Sequence, residues 1–360
     1  MVDAMVRAIA LEQYRQQQIL VRRAVNRVQA VWRQINRRDI SGSWEQLAPL
    51  LVAAVAEAQT EAARLADPYV DAVVAAEDAD PAAAGRVVPS AFAGIASDGR
   101  PLLSLLYQPV IDWKVRMLAG QSMDDAFRGS LASALRITAT QVADAGRGAT
   151  GAAMAGRRTI QGYVRVVQPP ACSRCVLLAG KEYGWNKGFQ RHPRCDCIHL
   201  PTTLIARNQR GRVGADGFTP TTRPGSGSPG FIDPRAYFNS LSRAEQDRAF
   251  GEAGARAIRE GADMAQVVNA RRGMTTMSAY GRQVLATREG TTRRGAFYRL
   301  ERARTEQRTG TRFARDRIDA RRGLPRFELR TPRLMPEEIY RLAESRDEAL
   351  AMLRRFGYLT

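Results

Sequence analysis

All four cysteines and both histidines of this 360-residue chain lie between Cys172 and His199. Nothing constrains the fold more tightly, because sulfur and imidazole ligands at short spacing close a metal polyhedron and fix the chain path around it. Cys172-Ser173-Arg174-Cys175 is a C-x-x-C knuckle, and after 16 intervening residues His192-Pro193-Arg194-Cys195-Asp196-Cys197 returns a second ligand group. Zinc prefers a tetrahedron of thiolates and imidazoles, which two spaced pairs supply without straining the chain, and such an ion fixes a small domain that has little core. Five side chains compete for four positions. Cys172, Cys175, His192 and Cys195 repeat one spacing, and they are the favoured set. In an extended chain Cys197 lies on the same face as Cys195, so it is an alternative to Cys195 or His192.

The expected Zn2+ is structural. A catalytic zinc needs an open coordination position and a nearby base, usually in motifs such as H-E-x-x-H, and none occurs here. Paired disulfides or inert thiols are the competing reading. The N-terminus lacks the charged, apolar and small-residue regions of a signal peptide, and no run of about 18 apolar residues occurs. The expectation is therefore a cytoplasmic chain with reduced thiols and no membrane partner. His199 is the histidine left for acid-base work, and there is no G-x-S-x-G elbow, so an enzyme is not expected.

The expected fold is mainly α, in three parts. Residues 1–160 read as a helical N-terminal domain: an amphipathic helix over 4–38, then one capped by Ser43 that Pro68 kinks or splits. An irregular connection over 78–100 follows, then helical spacing over 102–118 and 122–159. Residues 161–205 read as a small α+β zinc-binding module. It opens with a strand at Tyr163-Val164-Arg165-Val166-Val167 and has a second at Cys197-Ile198-His199-Leu200. Between the ligand groups, residues 181–191 interleave aromatic and basic residues, a composition that either stacks on nucleic acid or forms the module's own core.

The third part follows a Gly/Pro/Ser-rich linker at 206–230. Residues 231–287 read as short helices, including a capping box at Ser242-Arg243-Ala244-Glu245. Residues 288–335 read as an extended or loosely helical basic arm, and 336–360 as one C-terminal amphipathic helix. The net charge is +19 and the pI near 10.8. Only Lys114, Lys181 and Lys187 are lysine, so 52 of the 55 basic residues are arginine. Codon bias explains that choice, but not the excess of base over acid, which points to an anionic partner. Double-stranded DNA is the expected one, contacted through phosphates by Arg293, Arg294, Arg302, Arg304, Arg321 and Arg322.

The knuckle with the following Leu178-Ala179-Gly180, and above all His192-Pro193-Arg194-Cys195-Asp196-Cys197, resembles the Mu F type minor capsid (head morphogenesis) proteins of tailed bacteriophages. The flanking Gly162-Tyr163-Val164-Arg165-Val166-Val167 and Arg354-Arg355-Phe356-Gly357-Tyr358-Leu359 are similar to the version in phages of actinobacteria. Asp196 departs from the usual motif, where arginine is common. The resemblance covers most of the chain, although only the cysteine segment is specific. It implies a low-copy, portal-associated virion protein, made in the host cytoplasm and lying inside the capsid beside other capsid proteins and packaged DNA. Proteins of this type are sometimes named capsid maturation proteases, which is the second reading, although no nucleophile and base pair stands out. A zinc-containing DNA-binding regulator is the third, without a recognition helix after the second ligand group.

Overall fold

The computed structural model describes residues 2–186, 188, 195, 197–203, 232–279, 281–293, 295–315 and 317–359. The expected linker at 206–230, His192 and Arg294 lie outside these residues. The chain is mainly helical and divides into two compact units, Met1–Pro169 with Leu178–Asp233, and Pro170–Leu177 with Pro234–Thr360.

In the first unit, α1 (Val2–Trp32), α2 (Ile40–Arg64), α3 (Ala66–Ala76), α4 (Leu102–Leu106), α5 (Gln108–Leu118) and α6 (Met123–Ala155) precede a small sheet. Helix α1 buries Val6, Ala10, Ala24, Val28 and Trp32, one stripe at helical spacing. It stops at Trp32 rather than near 38, because Asp39 starts the next helix by accepting the Gly42 amide at 3.0 Å. Asp39, not Ser43, is thus the cap, and the Ser43 hydroxyl instead donates to the Asp39 carbonyl at 2.7 Å. Pro68 falls in the first turn of α3, just past the break at Leu65, as its missing amide hydrogen requires. A short 3-10 turn, Pro89–Phe92, interrupts the irregular connection.

Ser122 caps α6 through the Asp125 amide. Gly146 within it is a packing requirement: a Cβ there would come within 2.5 Å of the Gln17 amide, which donates to the Ala62 carbonyl at 3.1 Å. One cluster joins α1, α2, α4, α5 and α6 around Trp32, Trp44, Leu51 and Leu102. A second joins α1, α3 and α6 to the sheet through Val70, Val73, Ala149, Tyr163, Val166 and Leu200.

That sheet comprises β1 (Gly162–Val166), β2 (Glu182–Gly184) and β3 (Ile198–Thr202), antiparallel in the order β2-β1-β3. The central strand β1 and the edge strand β3 fall at the two expected strands, and the other edge, β2, is one the sequence reading did not place. Tyr183 on β2 stacks on Tyr163 with ring centroids 5.2 Å apart, so this aromatic belongs to the core, while Trp185 beside it is exposed. Tyr69 of α3 ties the sheet down by donating to the His199 carbonyl at 3.0 Å.

The second unit holds α7 (Ser173–Leu178, but for its last residue), α8 (Pro234–Ser240), α9 (Arg243–Phe250), α10 (Glu252–Arg259), α11 (Met264–Arg272), α12 (Ala296–Thr309), α13 (Arg317–Arg321), α14 (Pro336–Leu342) and α15 (Arg346–Arg355). The capping box of α9 forms as expected, Ser242 and Glu245 bonding each other's backbone amides. Residues 231–287 are not short helices alone. Strands β4 (Met274–Ala279) and β5 (Arg282–Thr287) form a hairpin, and β6 (Arg333–Leu334) pairs with β5.

Within the expected arm at 288–335, helix α12 packs into the second unit, while most of 310–332 is irregular and much of it exposed. Phe297 and Tyr298 of α12 are buried, Phe297 joining Phe238, Phe250, Ile258, Val267, Leu353 and Phe356 in one core. The expected single C-terminal helix is two, because Ser345 caps a new start by accepting the Glu348 amide at 3.1 Å.

A buried guanidinium braces the first unit. Arg157, with its side chain fully buried, donates to Asp71 at 2.6 Å, to Asp67 at 3.0 Å and to the Ala153 carbonyl at 2.6 Å. Replacing Arg157 with Met leaves two partly buried carboxylates without their shared cation, and the expected loss is about 3 kcal/mol in denaturant unfolding. Burial pushes the Asp71 carboxyl up, but hydrogen bonds from Arg86 and Arg157 outweigh it and hold the group below the usual range. A lowered folded value places the stabilisation above the unfolded value of about 3.9, and it is lost as the pH falls through the folded one. In acid titrations, Asp71→Asn should accordingly narrow the stability gap from wild type as the pH drops below about 4.

Candidate metal centre

The knuckle and the second ligand group fall in different units. Cys172 and Cys175 lie within Pro170–Leu177, and Cys195 and Cys197 belong to the first unit. The expected module boundaries at 161 and 205 do not coincide with that division.

At the knuckle, the short helix α7 turns the chain so that the Cys175 amide donates to the Cys172 sulfur at 3.3 Å. An amide pointed at sulfur favours the thiolate over the thiol. Cys175 is buried and Cys172 half-buried. The turn is anchored by Tyr237 of α8, whose hydroxyl accepts from the Ala171 amide at 2.9 Å and lies 3.1 Å from the Ala171 carbonyl.

Cys195 and Cys197 are both buried, with their sulfurs 3.1 Å apart and unbonded. Two cations surround them. The Arg165 guanidinium lies 3.5 Å from the Cys195 sulfur, and Arg147 donates to the Cys195 carbonyl at 2.8 Å and to the Cys197 carbonyl at 3.2 Å. Asp144 holds Arg147 from the other side at 2.7 Å. Contact with Cys195, and then burial, hold the Cys197 thiol well above its ordinary range, and the charges of Arg165 and Arg147 offset this only in part.

These donors fit a soft divalent ion. Each pair presents two reduced sulfurs, the amide and the guanidiniums stabilise the ionised form that binds metal, and imidazole completes a zinc set. The fit extends to pairs only. Among the described residues no group of three or more His, Cys, Asp or Glu side chains stands together as a metal site. His192, the favoured fourth ligand, lies outside them.

Sequence reasoning missed Arg147 and Arg165. The signal was present for Arg165, a charge set inside a strand whose other four residues are all buried. Arg147 stands on the buried side of α6, beside Val142, Ala145 and Ala149. His199 is buried on β3 and stacked on Tyr163 at 4.2 Å, the surroundings of a core residue rather than of an acid-base catalyst in a cleft.

The residues expected to touch DNA are dispersed by the fold. Arg302 pairs with Glu306 at 3.9 Å, and Arg304 pairs with Glu301 at 2.8 Å while donating to the Arg355 carbonyl at 2.7 Å. Both brace α12 and are only half-exposed. Arg293, Arg321 and Arg322 are exposed and free to meet an anion. No helix among the described residues is long and apolar enough to cross a membrane. Compared with known proteins, the chain matches no family model, no curated protein and no solved structure.

Proposed function

We propose that this chain is a minor capsid (head morphogenesis) protein of a tailed bacteriophage. In this reading it is present in few copies, associates with the portal protein and other capsid proteins during assembly in the host cytoplasm, and resides inside the capsid beside packaged DNA. The observation that carries the reading is the cysteine segment, residues 172–197, whose knuckle and His-Pro-Arg-Cys-Asp-Cys return resemble the Mu F type. The net charge of +19 supports it, since a wall of arginine tolerates dense phosphate. Contact with DNA in this role is electrostatic and indifferent to sequence.

The proposal includes one Zn2+ held by Cys172, Cys175, His192 and Cys195, with Cys197 as the alternative ligand. Bound there, the ion is a closed cross-link that supplies folding energy and no reaction. Arg147 and Arg165 position the Cys195 loop and stabilise its thiolates.

Metal analysis of the purified chain should give one zinc per chain, with Cys172→Ser and Cys175→Ser each reducing it to a small fraction. Of Cys195→Ser and Cys197→Ser, the one that keeps its zinc is not a ligand. Chelation should open residues 163–201 to protease first, and unchanged cleavage there after metal removal refutes a structural ion.

Mass spectrometry of proheads and mature virions, from cells expressing the complete head gene cluster, tests the assembly role. Intact chain at a few copies in mature particles is the expected result. Loss or self-cleavage between prohead and virion would instead identify a maturation protease, and absence from both particles would point to a DNA-binding regulator.

A further inference from the structure

The second unit contains a cavity of 580 Å³ between the β4–β5 hairpin, the loop that follows β5 and the segment 329–333. Its lining is unusual in charge. Arg288, Arg330 and Arg333 contribute to it, together with Ser278, Thr291 and Thr331, and no Asp or Glu does. Arg333 is committed elsewhere, donating to the Phe356 carbonyl at 2.9 Å and the Glu289 carbonyl at 3.1 Å. Thr291 closes its own loop by donating to the Arg288 carbonyl at 2.6 Å.

The remaining donors have no such duty. Arg288 is exposed and has no ion-pair partner among the described residues. Arg330 meets Glu328 at 3.9 Å, with side chains 88% and 83% exposed, a surface pair that holds it weakly. The Ser278 oxygen accepts from Gln283 at 2.8 Å, which leaves its own hydrogen to donate.

We propose that this cavity binds phosphoryl groups, with the guanidiniums of Arg288 and Arg330 and the hydroxyls of Ser278 and Thr331 as donors. Arginine pairs bidentately with phosphate oxygens, and hydroxyls complete the shell of an anion that brings no hydrogens of its own. A second cavity of 430 Å³ shares Leu329, Arg330 and Thr331 with the first and adds Arg308, Arg326 and Arg355, so that with Arg330 four arginines face the carboxylates of Glu301 and Glu328 there. The ligand is thus a terminal phosphate of a small molecule or a phosphate of a nucleic-acid backbone that continues into the second cavity. The proposal does not rest on the virion reading.

The test uses the full chain, with inorganic pyrophosphate titrated by calorimetry and a short DNA duplex as competitor. Pyrophosphate should bind saturably, and the double substitution Arg288→Gln with Arg330→Gln should weaken it about a hundredfold, as two charge-assisted contacts imply. Ser278→Ala should weaken it a few-fold, about the contribution of one neutral hydrogen bond. Arg22→Gln with Arg23→Gln, exposed on α1 and outside the cavity, removes the same charge and should leave pyrophosphate affinity unchanged. All four altered side chains of the two arginine pairs are exposed, so unfolding midpoints should match wild type. Displacement of pyrophosphate by the duplex assigns the site to a nucleic-acid backbone, and failure to displace it assigns the site to a free phosphate ligand. No saturable binding, or equal weakening by both arginine pairs, overturns the proposal.

Discussion

The structure depends on what it does with arginine in places where water cannot reach. A guanidinium moved from water to a protein interior is tolerable only when fixed oxygens or sulfurs replace its hydration. Arg157 finds two carboxylates and a helix carbonyl. Arg147 finds the carbonyls of Cys195 and Cys197 together with Asp144. Arg165 faces the Cys195 sulfur. In the second unit Arg333 receives backbone carbonyls and the Gln266 amide oxygen, and its guanidinium lies 4.4 Å from the centre of the Tyr358 ring. In each case the planar fork joins segments distant in sequence, which a lysine ammonium on a flexible stem does less well. The near-absence of lysine thus has a structural use whatever its genomic origin.

The same inventory divides the positive charge by role. Arg302 and Arg304 look from the sequence like members of a basic arm, yet their partners Glu306 and Glu301 lie on the same helix, and the helix packs through Phe297 and Tyr298. Arg288, Arg293, Arg322, Arg326 and Arg330 stand exposed in turns and extended segments, while Arg299, Arg308 and Arg321 are exposed on helices. Net charge read along the chain therefore does not say which arginines face solvent; burial and local ion pairs decide that.

Elements with a strong period or a local cap were legible in the sequence. The stripe on α1, the capping box of α9 and the β-branched run of β1 all form within a few residues of their expected limits. What was not legible depends on partners far along the chain. The hairpin at 274–287 carries Thr, Ser and Met at positions that do not alternate cleanly, and it becomes a sheet by pairing with β6 and packing Val284 against α11 and α14. Residues 288–335 have few large apolar residues, and the stretch joins the core at its two ends, through Phe297 and Tyr298 and through Arg333, Leu334 and Met335. The break between α14 and α15 is set by Ser345, whose S-x-x-E spacing to Glu348 is the signature also seen at α9 and was overlooked beneath the amphipathic pattern of 336–360. The cysteine cluster was legible because cysteine is scarce, but the two buried guanidiniums beside Cys195 were not, since arginine is everywhere in this chain.

The cysteine pairs show why those guanidiniums matter. Two sulfurs 3.1 Å apart in a core repel one another once both ionise, and burial adds to that cost. Left alone, the Cys195 and Cys197 pair favours its neutral form. Arg165 at the sulfur and Arg147 at the two carbonyls lower the cost of ionisation from opposite sides, sulfur and backbone. A divalent cation completes the same compensation with far more charge at shorter range, and it would complete that compensation only where two or more thiolates stand ready. If the proposed ion binds there, it and the guanidiniums answer one electrostatic problem, the burial of adjacent sulfurs. That problem has no purpose in a core built for packing alone, where two apolar side chains fill the space at no such cost.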